Sequence, residues 1–319
     1  MIENMTKRSR ILIKILLDIC SFLCPIVGIG RIVKKKGGSV GAKIVTSVMF
    51  AILWAYAASL FFFIFWTFYN SVRTSDEFLT DMLALPTVWD FGNYLEAYQY
   101  IEYNEVDFIG MFFNSIWFSV GSSAITIFFH AVTGYIFAKY EFPGREVAFK
   151  VILFTLALPI VGSLPSMYKV VYGLSLEESP LFLLTYTSGF GANFLVMYSY
   201  FKGVDKTYME AADMDGAGRF CIFFNIMLPL AFAPCFSLFL LTFIGQWNNY
   251  ETALLFLDTL PTLSSGLYQF SEIMRFSDCT SPETVYFAGV LIASLPVVLI
   301  VIFFGDKIMS NVSMGGIKG

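Results

Sequence analysis

Charge is the first thing this sequence lacks. Only 14% of its 319 residues are Asp, Glu, Lys or Arg, against about 25% in ordinary soluble domains. Histidine is almost missing as well. His130 stands alone, which removes paired-histidine haem ligation and argues against a His-centred catalytic triad. No Gly-x-x-x-x-Gly-Lys-Ser/Thr segment occurs, so the chain does not hydrolyse nucleotide through a phosphate loop of that kind. The five cysteines form no disulfide framework; Cys20 and Cys24 could share a helix face and hold a metal, but no second Cys/His pair lies near them. The 24 Gly and 11 Pro show no period, which excludes a collagen-like chain.

Apolar residues fill the space. They make up 57% of the chain, with 36 Phe, 17 Tyr and 5 Trp and a mean hydropathy of +0.71. A water-soluble core of this length cannot absorb so many aromatics. The apolar runs are long and continuous rather than alternating, which predicts membrane helices and not a barrel.

Six long stretches carry no Asp, Glu, Lys or Arg: 44–72, 108–138, 151–168, 179–201, 220–250 and 284–305. A helix needs about 20 apolar residues to cross about 30 Å of hydrocarbon, and uncharged backbone in hydrocarbon must bond to itself. The expectation is six transmembrane helices. A seventh apolar stretch, 11–30, contains Lys14 and Asp18 and has basic residues on both sides, so it reads as an interfacial segment. With the N-terminus inside, the segments 1–43, 139–150, 202–219 and 306–319 hold 17 of the 20 Lys and Arg. By the positive-inside rule both termini are then cytoplasmic. The outer segments 73–107, 169–178 and 251–283 are acidic. The net charge of −4 therefore hides two faces of opposite sign and points to no nucleic-acid partner.

The inner loop from Lys202 to Pro229 is too long and too patterned for a simple turn. Thr207-Tyr208-Met209-Glu210 predicts a capping box, with the Thr207 hydroxyl accepting from the Glu210 amide and the Glu210 carboxylate reaching back. Ala211 and Ala212 favour helix and let a neighbour approach closely. Gly216 supplies a left-handed stop. A short, capped cytoplasmic helix between the fourth and fifth spans results, with the dimensions to enter a groove on another protein.

The order Glu210-Ala211-Ala212, three residues, Gly216, nine residues, Ile226, one residue, Leu228-Pro229 resembles the signature loop of permease subunits of ATP-binding-cassette (ABC) importers. Further matches are Asn114-Ser115, the run Ala138-Lys139-Tyr140-Glu141-Phe142-Pro143-Gly144-Arg145, Asp215-Gly216-Ala217, Trp247-Asn248 and the ending Gly315-Gly316-Ile317-Lys318-Gly319. Together they resemble the maltose-type carbohydrate-uptake branch, over roughly 44–319. One departure is Asp205, which stands where that family usually has a proline.

The resemblance implies an all-α integral membrane protein with a cytoplasmic coupling helix between helices four and five. Residues 1–43 would be a basic cytoplasmic or interfacial extension and 44–319 the permease domain, in a bacterial inner membrane. It implies a second, different permease chain, two ATPase subunits, an external solute-binding protein and a carbohydrate as substrate, with an oligosaccharide as the expected form. No cofactor is expected in this chain, since ATP and Mg would be bound by the partner ATPases. Thr207, Glu210, Ala211, Ala212, Asp215, Gly216 and Ala217 would couple ATP hydrolysis to transport by a rigid-body swing. Asn114, Asn193, Gln246, Trp247, Asn248 and Asn249 are candidates for the sugar path, since hydroxyls bond to amides and C–H faces pack on aromatics. For any single one of them, interhelical hydrogen bonding is the preferred alternative, and Trp247 is also read as an interfacial anchor.

Other classes fit less well. An ion-coupled secondary transporter usually carries ionisable groups near the midplane and internal repeats, and this chain has only His130 in its uncharged runs. An intramembrane enzyme needs a nucleophile and base, or paired carboxylates, at membrane depth. A channel leaves the 207–229 loop without a purpose.

Overall fold

The computed structural model describes residues 40–158, 163–276 and 283–314. The segment 11–30, Cys20, Cys24, Cys279 and the glycine-rich ending lie outside them. The chain divides into two compact units, residues 1–70 and 71–319. Among the described residues there is no strand, only an isolated bridge between Tyr103 and Val106.

Helix α1, Val40–Ser71, is apolar on all sides, the pattern of a helix that meets hydrocarbon rather than water. Within the second unit follow α2 (Ser75–Thr80), α3 (Gly92–Tyr100), α4 (Phe108–Lys139), α5 (Arg145–Ala157) and α6 (Ser163–Gly173). A 3₁₀ turn, Pro180–Tyr186, leads to α7 (Ala192–Gly203) and α8 (Thr207–Met214). Then come α9 (Arg219–Leu230), α10 (Phe232–Trp247), α11 (Tyr250–Phe256), α12 (Leu263–Phe276) and α13 (Glu283–Met314).

Three described helices, within α1, α4 and α13, are each long and apolar enough to cross a membrane, and α9 with α10 makes a fourth if the pair is one span. These account for four of the six uncharged stretches. The other two are broken. The stretch 151–168 is divided between α5 and α6, and 179–201 opens with the Pro180 3₁₀ turn and the Ser188-Gly189-Phe190-Gly191 connection before α7. In the second stretch Pro180 and the Gly189 and Gly191 pair interrupt a helix that composition alone would leave continuous.

Two prolines explain the 72° bend between α9 and α10. Pro229 lacks the N–H that would bond the Asn225 carbonyl, and its ring crowds that turn; residues Phe223–Met227 widen into a π-helix just before it. Pro234 sits in the first turn of α10 and cannot bond the Leu230 carbonyl. The Tyr200 hydroxyl of α7 donates to that carbonyl instead, at 2.6 Å. A freed backbone acceptor in an apolar bundle thus finds a donor on the neighbouring helix.

Helix α4 is the axis of the second unit. At one end Phe108 and Met111 pack with Phe243, Trp247, Leu263, Leu267, Val285 and Ala288. At the other, Ile127, Ala131 and Tyr135 pack with Met197, Phe201, Ile222, Phe223 and Met227. His130 is buried in α4. The α4–α7 contact is close because of Gly134: a Cβ there would stand 2.9 Å from both Met197 Cβ and the Tyr198 backbone nitrogen. Small residues allow this approach between apolar helices.

Gly134→Val is therefore expected to weaken the α4–α7 pair by about 1–3 kcal/mol, the usual cost of overpacking. Thermal unfolding in detergent checks this, with Gly203→Ala as control, since a Cβ there meets nothing within 4 Å.

Candidate functional site

The loop between α7 and α9 builds α8 with its own stop signals. Its start differs from expectation. The predicted Thr207–Glu210 capping box does not form; the residue flanking the helix is Lys206, and no side chain caps from that position. Asp205 does the work instead. Its Oδ1 accepts from the Thr207 N–H at 3.0 Å and from the Thr207 hydroxyl at 2.7 Å. A carboxylate is the stronger acceptor, and the Glu210 amide bonds Lys206 O at 3.1 Å rather than the Thr207 hydroxyl. These bonds hold the Asp205 carboxyl below the usual carboxylate range, first through the Thr207 amide and then through its hydroxyl. The residue that departs from the resembled pattern is the one that fixes the helix start.

The helix end matches expectation. Gly216 has φ +77°, a conformation that costs other L-residues roughly 1–2 kcal/mol. Ala217 N–H bonds Ala212 O at 2.9 Å and Gly216 N–H bonds Asp213 O at 3.0 Å, the paired closure of a Schellman motif.

Between these ends, α8 is tied to the bundle through Ala212 and the half-buried Met209. Ala212 is buried, in one cluster with Tyr135 of α4, Phe201 of α7 and Ile222, Phe223 and Met227 of α9. Ala217 packs at the margin of the same cluster. Glu210, Ala211 and Asp215 are exposed, and so are Met214 (88%) and Phe220 (83%). Asp205, Thr207, Tyr208, Ala211, Asp215 and Ile226 line an open groove of about 590 Å³. Around the mount, the Arg219 guanidinium stands over the Tyr140 ring at 5.6 Å, and the Tyr140 hydroxyl lies 3.2 Å from that of Tyr135. Lys139 Nζ donates to Val204 O, joining the ends of α4 and α7.

The six candidates for a sugar path do not form one cluster. Asn114 donates to Pro261 O at 3.1 Å, while Ser115 Oγ beside it accepts from Leu263 N–H at 2.7 Å; together they hold the start of α12. Asn193 donates to Thr242 Oγ1 at 3.1 Å, joining α7 to α10. Trp247 is buried, donates from Nε1 to Ala293 O at 3.0 Å, and packs against Phe112 and Phe243, so it is part of the interior and not an interfacial anchor. Gln246 Oε1 accepts from Tyr186 OH and from Asn249 Nδ2, both at 3.2 Å. Asn249 Oδ1 caps α11 through the Thr252 amide at 3.2 Å. Asn248 is exposed, with Nδ2 donating to Ile244 O at 2.8 Å.

The sequence marks Asp205 only as a departure from the family's usual proline, and does not mark the exposed pair Met214 and Phe220. An Asp two residues before a helix is a recognised turn former and signals the first. Nothing local marks the other two, because an apolar residue in an apolar chain does not announce its exposure.

Residues 130–310 match the family of binding-protein-dependent transport system inner membrane components. The chain belongs to that family. Its relatives include the diacetylchitobiose uptake system permease protein NgcG of Streptomyces coelicolor, 28% identical over 256 residues, which are 78% of this chain and 82% of NgcG. The arabinooligosaccharides transport system permease protein AraQ of Bacillus subtilis is 29% identical over 263 residues, 80% of this chain and 90% of AraQ. The fold is that of a chain from a bacterial ABC transporter involved in import of the acidic polysaccharide alginate, with TM-score 0.69, 21% identity, and coverage of 85% of this chain and 99% of that one. As an inner membrane component of this family, the protein is a transport permease subunit.

In this permease, Asp205→Ala should speed amide hydrogen exchange across Thr207–Glu210, and Gly216→Ala should destabilise the end of α8 by about 1 kcal/mol or more. The Asp205 contribution has a defined pH sense. The folded state holds this carboxyl below 3.8, so the contribution is present above that value and is lost as pH falls through the lower folded one. Exchange measured by mass spectrometry from pH 7 downwards, against Asp205→Asn, checks both.

Proposed function

We propose that this permease carries a carbohydrate, in the size range of an oligosaccharide, across the bacterial inner membrane by alternating access. The names of its relatives, uptake systems for diacetylchitobiose and arabinooligosaccharides, support the substrate class. In this reading six spans cross the bilayer: α1, α4, α5 with α6, the 3₁₀ turn with α7, α9 with α10, and α13. The 17 of 20 basic residues on one set of segments support both termini being cytoplasmic. The assembly would contain a second permease chain, two ATPase subunits that bind ATP and Mg, and an external solute-binding protein.

The seat of α8 carries this proposal. Ala212 packs among side chains from α4, α7 and α9 at once, so a push on α8 moves three helices together. Glu210, Ala211 and Asp215 present the outer side of α8 to an ATPase groove, and Thr207, Gly216 and Ala217 fix its ends. ATP-driven closure of the ATPases then swings the mount as a rigid body, and solute binding shifts the balance only by its differential affinity for the two states. Of the path candidates, Asn114, Asn193 and Trp247 act as struts, and exposed Asn248, with the neighbouring Gln246 and Asn249, is the place where a sugar hydroxyl would be met.

Glu210→Lys or Gly216→Pro is expected to lower ATP-driven sugar uptake at least tenfold, a loss of about 1.4 kcal/mol or more in the coupled step, with the membrane bundle still folded. Vanadate-sensitive uptake by the assembled transporter in proteoliposomes measures it. Normal uptake by both variants would remove α8 from the mechanism, and uptake without any ATPase would favour an ion-coupled carrier or a channel.

A further inference from the structure

Three cations line one cleft at the foot of α5. Arg145, Lys150 and Lys202 surround about 250 Å³ of space whose floor is Phe137, Phe149 and Tyr198. Lys202 Nζ stands 5.7 Å from the Tyr198 ring centre, and that ring packs on Phe149 at 4.6 Å. Arg145 uses Nη1 to hold Tyr140 O at 3.1 Å and keeps its remaining donors. The cleft has one acid, Glu146. It forms no ion pair with any of the three cations, and the one salt bridge among the described residues lies elsewhere, between Arg73 and Glu77. With three cations and one acid, the cluster keeps a net positive charge.

The adjoining face of α5 has the opposite character. Val147, Val151 and Phe154 are 66%, 57% and 66% exposed, spaced to form one stripe along the helix. No residue of α5 is buried. In the proposed topology, on which this inference rests, 139–150 is cytoplasmic and α5 enters the bilayer from there, so the cations lie at headgroup level and the stripe rises into hydrocarbon. The geometry points to a seat for an anionic phospholipid of the inner leaflet, with its phosphate among Arg145, Lys150 and Lys202 and an acyl chain along Val147, Val151 and Phe154. Charge-assisted bonds to phosphate select the headgroup. The apolar stripe selects a lipid over a soluble phosphate, because only a lipid covers both halves. Basic pockets between helices on the cytoplasmic side suit such headgroups. Since α5 and α7 form the walls, a bound lipid would brace α7, the helix that leads directly into α8.

The assembled transporter, delipidated in detergent and titrated with phosphatidylglycerol or phosphatidylethanolamine, tests this by native mass spectrometry. Phosphatidylglycerol should be retained in preference, and Lys150→Gln with Lys202→Gln should reduce that preference about fivefold per cation removed. Val151→Ser with Phe154→Ser should weaken retention of the full lipid without abolishing the headgroup preference. Equal retention of the two lipids, or displacement of phosphatidylglycerol by inorganic phosphate, overturns the proposal. So does loss of the ATPase subunits from the Lys150→Gln, Lys202→Gln complex with lipid retention unchanged, which would assign the cleft to a protein contact. Labelling of Lys202→Cys by an impermeant maleimide from outside intact cells would instead refute the topology, whatever the lipid result.

Discussion

The seat of Ala212, with the half-buried Met209 on the same side, joins the short helix α8 to the rest of the permease. Ala212 is the only buried residue of α8, and it sits where α4, α7 and α9 converge. A larger side chain would hold the helix away from the bundle, and a polar one would bring an unpaired group into an apolar cluster. The surrounding features serve this seat. Asp205 and Gly216 fix the length of α8, so Ala212 has one azimuth. Gly134 brings α7 against α4, and Tyr200 stabilises the bend that brings α9 beneath them. The Arg219–Tyr140 contact closes the margin.

The helical class of this chain, its three long apolar helices and the bent α9–α10 pair are readable from charge-free runs, because hydrocarbon admits little else. The breaks in 151–168 and 179–201 are not, since window composition averages over a proline or a Gly-x-Gly. Gly216 was legible as a stop because few other residues tolerate φ +77°. The start is less legible, because two acceptors compete for the same turn. Thr207 fits a capping box by type, but Asp205 lies within reach of both Thr207 donors and is the better acceptor.

Polar residues in the spans show a different limit. Asn114, Asn193 and Trp247 are the residue types a sugar site would use, and each is bonded inside the protein. Type alone does not separate a strut from a contact, because both need an amide or indole at membrane depth. The distinction depends on partners remote in sequence: Pro261, Thr242 and Ala293. The basic cleft at α5 was hidden for the same reason. Arg145 and Lys150 look like ordinary positive-inside charges until Lys202, from another helix, closes the third side.

Coupling through α8 requires that its mount on α4, α7 and α9 be rigid. Spin labels on Met214→Cys of α8 and Ser199→Cys of α7, on a cysteine-free background, report their separation in the assembled transporter with and without ATP. A single distance distribution that stays the same in both states, while uptake proceeds, is the predicted result. A distribution that shifts or splits on ATP binding would mean that α8 moves against α7, and that force reaches the permease by another route.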